Sequence, residues 1–173
     1  MNNISVKMIL TLTFISMLAG ALLSGWDMIT QPLIEKHRQE AIRQAIKEVL
    51  PPFFSYREIQ LSDRILYEAI DSSKNIIGYA VKTSGNGFQG KIVIMTGLSA
   101  NFETLSSISI LEQLETPGLG TKIVSDPSHK KDIFWFPAQF KGLQYKPEIK
   151  VLKNAKIKNN NEIMAITGAT ISA

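Results

Sequence analysis

A run of small and hydroxyl-bearing residues near the C-terminus carries the clearest chemistry in this 173-residue sequence. It reads Thr167-Gly168-Ala169-Thr170-Ile171-Ser172-Ala173. Gly168 allows backbone angles that are closed to other residues and Ala169 adds only a methyl group, so a bulky group can approach the Thr170 hydroxyl. The apolar residues 163–166 before it predict a short buried strand that ends in a turn. An ordinary turn rich in Ser and Thr has the same composition, so this stretch alone does not establish a site.

A second unusual stretch, Glu115-Thr116-Pro117-Gly118-Leu119-Gly120, could hold a ligand with its backbone. Pro117 stiffens the chain, and Gly118 and Gly120 remove side chains at alternate positions. We expect its backbone N–H groups to be open to a flat or anionic ligand, with the Thr116 hydroxyl as a further donor. The alternative is a tight loop at the end of a strand.

The composition excludes several kinds of site. There is no cysteine, which excludes disulfides, thiolate nucleophiles, iron–sulfur clusters and Cys-type zinc sites within this chain. The two histidines, His37 and His129, are far apart in the sequence, and we expect no metal site. The net charge of +4 is a modest surplus, and we expect no nucleic-acid partner. Six lysines between residues 141 and 158 indicate either a surface for an acidic partner or lipid headgroups, or a solvated face.

The N-terminal segment is long enough to cross a membrane. Met8 to Trp26 comprises 19 residues without a charged side chain, which at helical rise spans about 28 Å. Ala19-Gly20-Ala21 resembles a signal-peptide cleavage site, but the apolar run continues past it, which favours an uncleaved anchor. Positive charges on both sides leave the orientation open.

An amphipathic helix is expected after this segment. Pro32 suits a first helical turn, Ala41, Ala45 and Val49 recur four residues apart on one apolar stripe, and Pro51-Pro52 ends the pattern. We therefore expect four parts: an N-terminal tail, a transmembrane helix, an amphipathic stalk helix and a folded domain, at residues 1–7, 8–29, 30–52 and 53–173.

The remaining sequence is typical of β-strands. Three runs, at residues 76–83, 91–98 and 105–111, are separated by short turns, and the last alternates apolar residues with serines. The Gly-rich segment 84–90 predicts the turn of a hairpin. Aromatic residues at 133–140 are expected in the core, and further strands at 149–152 and 163–166. The predicted fold class is α+β, with an N-terminal transmembrane helix, an amphipathic helix and a mainly antiparallel sheet.

Taken together, these features resemble the FMN-binding G subunit of the Rnf-type ion-translocating electron transport complex, a relative of the C subunit of the sodium-pumping NADH:quinone reductase. The matching features follow the same order over nearly the whole chain. They are one membrane helix, an amphipathic helix ending in Leu-Pro, a Gly-Tyr-Ala strand, the turn Gly87-Phe88-Gln89-Gly90, the loop Glu115–Gly120 and the motif Thr167-Gly168-Ala169-Thr170.

The resemblance implies the site and its cofactor. In that family the second threonine of the motif, here Thr170, carries FMN through a covalent phosphoester bond that a separate flavin transferase makes. The loop Glu115–Gly120 lies near the isoalloxazine ring. The chain would relay electrons within a complex of other membrane subunits and would not be catalytic alone. The family places this domain on the periplasmic side of the bacterial inner membrane, anchored by a single span.

Three departures from the family pattern stand out. Met164 occupies the position three residues before Thr167 where an aspartate is usual, and Leu111-Glu112-Gln113-Leu114 lacks a histidine found in many relatives. Relatives also continue past the motif with a C-terminal helix, which we expect to be missing here. If the aspartate helps recognition by the transferase, flavin attachment would be impaired.

Two other functions remain open. A flavin-free, membrane-tethered scaffold, or a degenerate truncated copy of the family, would also carry Met164. A hydrolase using Thr170 or a serine as nucleophile would need a positioned base, for which only His37 and His129 are available.

Overall fold

A meander of five antiparallel strands forms the centre of the folded domain. The computed structural model describes residues 3–61, 64–153 and 156–169. Each strand pairs with the next along the chain, in the order β1 to β5. The strands are β1 (Ser55–Gln60), β2 (Ile65–Ile70), β3 (Ile76–Asn86), β4 (Lys91–Ser99) and β5 (Leu105–Glu112). This confirms the α+β prediction with a mainly antiparallel sheet.

The sheet differs from the prediction at two places. β1 and β2 were not predicted, because their polar side chains and the acidic Glu68 interrupt the apolar pattern. β3 is longer than predicted: Gly85 pairs with Ile92 and Asn86 with Lys91, so the turn is only Gly87–Gly90. The N–H of Gly87 closes this turn by donating to the carbonyl of Gly90 at 2.8 Å.

One helix replaces the two that the sequence predicted. α1 runs from Asn3 to Val49 with Pro32 inside it, so no new helix begins at that proline. A proline removes one backbone hydrogen bond, which a long helix can tolerate. The chain divides into two compact units, one up to Glu40 and one from Ala41. The first contains an exposed helical stretch that is long and apolar enough to cross a membrane.

The last turns of α1 pack on one face of the sheet. Ala45, Ile46 and Val49 are buried against Tyr67 and Met95 in the larger core cluster of the second unit. The helix approaches the sheet closely at Gly97, where a Cβ atom would lie 2.1 Å from the carbonyl oxygen of Val49. The predicted apolar stripe is therefore buried at Ala45, Ile46 and Val49, whereas Ala41 is exposed.

The other face of the sheet is covered by short elements that follow β5. They are a 3-10 turn at Gly120–Ile123, the four-residue helix α2 (Trp135–Ala138) and the parallel strands β6 (Lys150–Leu152) and β7 (Glu162–Met164). Of the aromatic residues expected in the core at 133–140, Phe136 is buried, whereas Phe134 is 54% exposed. The six lysines between residues 141 and 158 are all exposed.

Candidate functional site

The loop Glu115–Gly120 folds back on itself directly after β5. The N–H of Leu119 donates to the carbonyl of Thr116 at 3.1 Å, and the N–H of Gly118 donates to the Thr121 hydroxyl at 3.0 Å. These two N–H groups are therefore already hydrogen-bonded, to Thr116 and Thr121, and are not open, contrary to the sequence expectation. Gly118 leaves open space in the loop instead. Its φ is +76°, and nothing lies within 4 Å of the position that its Cβ would take.

Glu115, the first residue of this loop, is buried. Only 5% of its surface is exposed, and its Oε1 accepts a hydrogen bond from the Gln89 N–H at 3.1 Å. The Gln89 side chain donates from Nε2 to the Thr116 hydroxyl at 2.7 Å. The carboxylate thus faces the Gly87–Gly90 turn.

The C-terminal motif is a turn anchored by apolar residues. Ile166 and Ala169 are buried, while Thr167 and Gly168 are exposed. The Ala169 N–H donates to the carbonyl of Ile166 at 3.1 Å, and Gly168 has a φ of +82°, which disfavours any residue with a side chain. The structure therefore supports the predicted turn after a buried anchor. Thr170 lies outside the described residues.

The structure brings the two motifs together. A Cβ atom at Gly168 would lie 3.4 Å from Cδ2 of Leu119, in ordinary contact distance. Beneath this contact, Ile123 of the 3-10 turn shares a core cluster with Ile166 and Ala169. Two stretches that are about 50 residues apart in the sequence therefore form a single region of the surface.

An apolar cavity of about 380 Å³ adjoins this cluster. Its lining includes Ile92, Ile123 and Phe136, which also belong to the cluster under the motifs. The volume is within the range of small-molecule sites. Among the described residues that line the cavity, those with polar side-chain groups are Thr83, Thr96 and Tyr145.

A buried carboxylate holds the segment that follows the loop. Asp126 accepts hydrogen bonds from the hydroxyl and N–H of Ser128 and from Nε1 of Trp135, and Nζ of Lys122 lies 3.6 Å from its Oδ1. These hydrogen bonds, with the Ser128 hydroxyl first, keep the pKa of Asp126 below its usual value, with a smaller effect from Lys122. The network ties the 3-10 turn to α2.

A second carboxylate holds the strand before the C-terminal motif. Glu162 is buried and accepts hydrogen bonds from the N–H groups of Lys158 and Asn159 at 2.8 and 3.1 Å. The Lys158 N–H first, and then Asn159, lower the pKa of this carboxyl. These hydrogen bonds therefore hold the first residue of β7, which lies two residues before Met164.

Met164, the departure from the family motif, lies on the surface. Its side chain is 40% exposed, and its backbone is held by Gln139, whose amide accepts from its N–H at 2.7 Å and donates to its carbonyl at 3.3 Å. The side chain at this position is therefore partly exposed to solvent and contributes little to the core.

Each of the two histidines lies beside an aromatic or an acidic side chain. His129 packs beside Trp135, with 5.5 Å between ring centroids, and its Nδ1 lies 2.9 Å from the carbonyl oxygen of Asp132. His37 lies in the first unit, 3.7 Å from Glu40. Within residues 3–61, 64–153 and 156–169, no three His, Cys, Asp or Glu side chains are grouped as a metal site would require.

Sequence reasoning missed three residues that shape this region. Gly87 and Gln89 contact Glu115, and Asp126 organises the segment after the loop. The Gly-aromatic-x-Gly pattern at 87–90 was interpreted as a hairpin turn and as part of the resemblance to the family, but neither interpretation gave Gly87 or Gln89 a role at the site. Asp126 follows no pattern that marks it in the sequence.

Comparison with known proteins gives consistent matches. The FMN-binding domain family matches residues 87–173. The chain is 31% identical over 175 residues to the G subunit of the ion-translocating oxidoreductase complex of Methanosarcina acetivorans, covering 96% of this chain and 86% of that protein. It is also 31% identical over 183 residues to the G subunit of the Na⁺-translocating ferredoxin:NAD⁺ oxidoreductase complex of Acetobacterium woodii, covering 96% and 84%.

Two solved structures share the fold. NqrC of Shewanella oneidensis superposes with a TM-score of 0.54 at 19% identity, covering 73% of this chain and 61% of that one. The C subunit of the Na⁺-translocating NADH-quinone reductase of Parabacteroides distasonis gives a TM-score of 0.50 at 21% identity, covering 63% and 53%. The chain therefore spans less than two thirds of either solved chain.

Proposed function

The chain belongs to the family of G subunits of ion-translocating oxidoreductase complexes and contains an FMN-binding domain, and on this premise we propose that it is a membrane-anchored electron carrier with FMN joined covalently to Thr170. The family is the one expected from the sequence motifs. FMN supplies reversible electron transfer when it is bound, and the phosphoester would join its phosphate to the Thr170 hydroxyl.

The proximity of Gly168 to Leu119, whose Cδ2 would lie 3.4 Å from a Cβ atom at residue 168, is the observation that supports this proposal most directly. It brings the loop Glu115–Gly120 beside the turn that leads into Thr170. Ala169, one residue before the threonine in the sequence, is buried, which holds the chain in place up to that residue.

The residues around this contact fit a flat cofactor. Gly118 opens space within the loop, and any side chain at Gly168 would project towards Leu119. We propose that residues 116–120 and 167–169 hold the FMN, with Glu115 supporting the loop from behind. Exclusion of water from one side of the flavin would come from apolar side chains such as Leu119.

Covalent attachment suits an exported carrier. A cofactor that dissociated outside the cytoplasm would be lost by dilution, whereas a tether keeps its effective concentration high at all times. We therefore propose that residues 8–29 cross the cytoplasmic membrane and that residues 53–173 form the FMN domain on its outer side. The exposed apolar helix of the first unit is suited to this anchor.

The proposed partners follow from the same premise. The relatives from Methanosarcina acetivorans and Acetobacterium woodii are subunits of complexes, so we expect this chain to exchange electrons with neighbouring subunits and membrane lipid to surround its anchor. A flavin transferase would attach the cofactor. The chain has no cysteine that could hold an iron–sulfur cluster, so the proposed FMN would be its electron-carrying group.

In-gel flavin fluorescence tests the proposal. The chain, coexpressed with a flavin transferase and denatured, should give a fluorescent band that disappears in Thr170→Val. Peptide mass spectrometry should place the added FMN on Thr170 and not on Thr167. Dark bands for both proteins, beside a fluorescent relative from Acetobacterium woodii, would instead support the flavin-free scaffold.

A further inference from the structure

Two hydrogen bonds join the turn Gly87–Gly90 to the loop Glu115–Gly120. The N–H of Gln89 donates to Oε1 of Glu115 at 3.1 Å, and Nε2 of Gln89 donates to the Thr116 hydroxyl at 2.7 Å. One residue of the turn therefore contacts two consecutive residues of the loop, once with its backbone and once with its side chain.

Missing side chains make room for the Glu115 carboxylate. A Cβ atom at Gly87 would lie 2.3 Å from Oε1 of Glu115, and one at Gly120 would lie 2.5 Å from its Oε2. Real Cβ atoms do not approach other atoms this closely, so the carboxylate occupies the space that alanine would need at either position. Glu115 is only 5% exposed there, and a buried carboxylate without its hydrogen bonds would be costly.

The turn is itself fixed by the sheet. β3 and β4 pair up to Asn86 and Lys91, and the N–H of Gly87 bonds to the carbonyl of Gly90 at 2.8 Å. A loop is positioned well only when it is attached to such a rigid element. The path from the sheet through Gln89 and Glu115 therefore determines where residues 116–120 lie.

We propose that the Gly87–Gly90 turn is a positioning element of the flavin site, with Gln89 and Gly87 holding Glu115 and through it the loop. Gln89 and Gly87 act on the cofactor through the loop and do not need to touch it. This inference deepens the proposed function and rests on it for its effect on the flavin, but the attachment of the loop to the turn can be tested without any cofactor.

Hydrogen–deuterium exchange of the full chain without flavin tests the attachment. Gly87→Ala should displace the carboxylate and increase exchange of the loop amides, by up to about tenfold for each hydrogen bond lost. Gly85→Ala is the matched control, because it lies two residues earlier in β3 and has nothing within 4 Å of its Cβ position. Equal loop exchange in the two variants would overturn the proposal.

A second pair of substitutions tests the side-chain contact without adding atoms. Gln89→Ala and Thr116→Val should each increase loop exchange, and the double variant should show no more than the larger single effect, because both remove the same hydrogen bond. Thr116→Ser keeps the hydroxyl and should restore slow exchange. Additive effects, or no rescue by serine, would mean that this hydrogen bond does not hold the loop.

The flavin reports whether the attachment positions the cofactor. In denaturing gels, Gln89→Ala should carry as much FMN as Gly85→Ala, yet its native flavin absorption and midpoint potential should shift. Faster loop exchange with an unchanged flavin spectrum and midpoint potential would show that the turn supports the loop but does not position the cofactor, and would overturn the proposal. If the unmodified chain never carries FMN, the proposed function fails, while the exchange experiments still decide whether the turn holds the loop.

Discussion

Gly168 combines a backbone requirement with a position at the centre of the proposed site. Its φ of +82° is in the left-handed region, where a side chain costs about 1–2 kcal/mol. We expect Gly168→Ala to lower stability by about that amount and also to reduce flavin attachment, because the new methyl would contact Leu119 at a position two residues before Thr170, the proposed acceptor. Thermal unfolding and in-gel fluorescence measure the two effects.

Gly142 provides the control for this prediction. It has a φ of +75° but open space at its Cβ position, and it lies outside both motifs. Gly142→Ala should therefore show a similar loss of stability and normal flavin fluorescence. If both variants lose flavin to the same degree, the effect at Gly168 comes from global stability and not from the site.

Met164 makes a separate prediction, because its side chain is 40% exposed and its backbone is already held by Gln139. Met164→Asp restores the residue that is usual in the family motif, at a position where it should be visible to a flavin transferase. We expect a faster rate of flavin attachment in a time course, with an unchanged melting temperature. A rate equal to that of the unmodified chain would show that the transferase does not recognise this side chain.

The residue types alone identified the small residues of both motifs as parts of a candidate site. They did not predict the direction in which the polar side chains point. Thr167, Gly168 and Ala169 were recognised because their composition is unusual. The orientation of Glu115 depends on Gly87 and Gln89, which are more than 20 residues earlier in the chain. Such a contact exists only once β3 and β4 have paired, so no local pattern contains it.

Among the short elements, the segment from the 3-10 turn to α2 depends on the charge of Asp126. Hydrogen bonds from Ser128 and Trp135 lower its pKa, so the carboxylate stabilises the folded chain above the ordinary value of about 3.9, and this contribution is lost as the pH falls through the lowered pKa. Asp126→Asn should lower the melting temperature at neutral pH. The difference from the unmodified chain should shrink as the pH is lowered below about 4.

Glu148→Gln is the control for the acid dependence, since this residue is exposed. Its melting temperature should follow that of the unmodified chain throughout the pH series. A constant difference between Asp126→Asn and the unmodified chain at every pH would show that shape, and not ionisation, explains the effect of the substitution.

At the scale of whole elements, hydrophobic periodicity predicted the strands correctly where one face of the strand is apolar. β4 and β5 were predicted close to their observed bounds because apolar residues dominate one of their faces. β2 was not predicted because it contains the buried, acidic Glu68, whose Oε1 lies 2.7 Å from Nε of Arg57. A charged residue at a buried position interrupts the apolar pattern. Pro32 was predicted to begin a new helix but lies inside α1, because a long helix can lose the one backbone hydrogen bond that a proline removes.

On the scale of the whole molecule, the long uncharged run and the order of the motifs were sufficient to predict both the fold class and the family. The orientation across a membrane was not, because positive charges flank the apolar segment on both sides. The resemblance to the family supplied the orientation instead, and we propose that the folded domain lies outside the cytoplasm, where a covalent bond would prevent the loss of FMN.

Cysteine labelling can test this orientation with little background, because the chain contains no cysteine. Ser72→Cys adds an exposed thiol in the turn between β2 and β3, and Ser5→Cys adds one before the apolar segment. In intact cells, a membrane-impermeant maleimide should label Ser72→Cys and should reach Ser5→Cys only after lysis. The reverse pattern would place the folded domain in the cytoplasm, where loss of FMN by dilution would no longer explain a covalent bond.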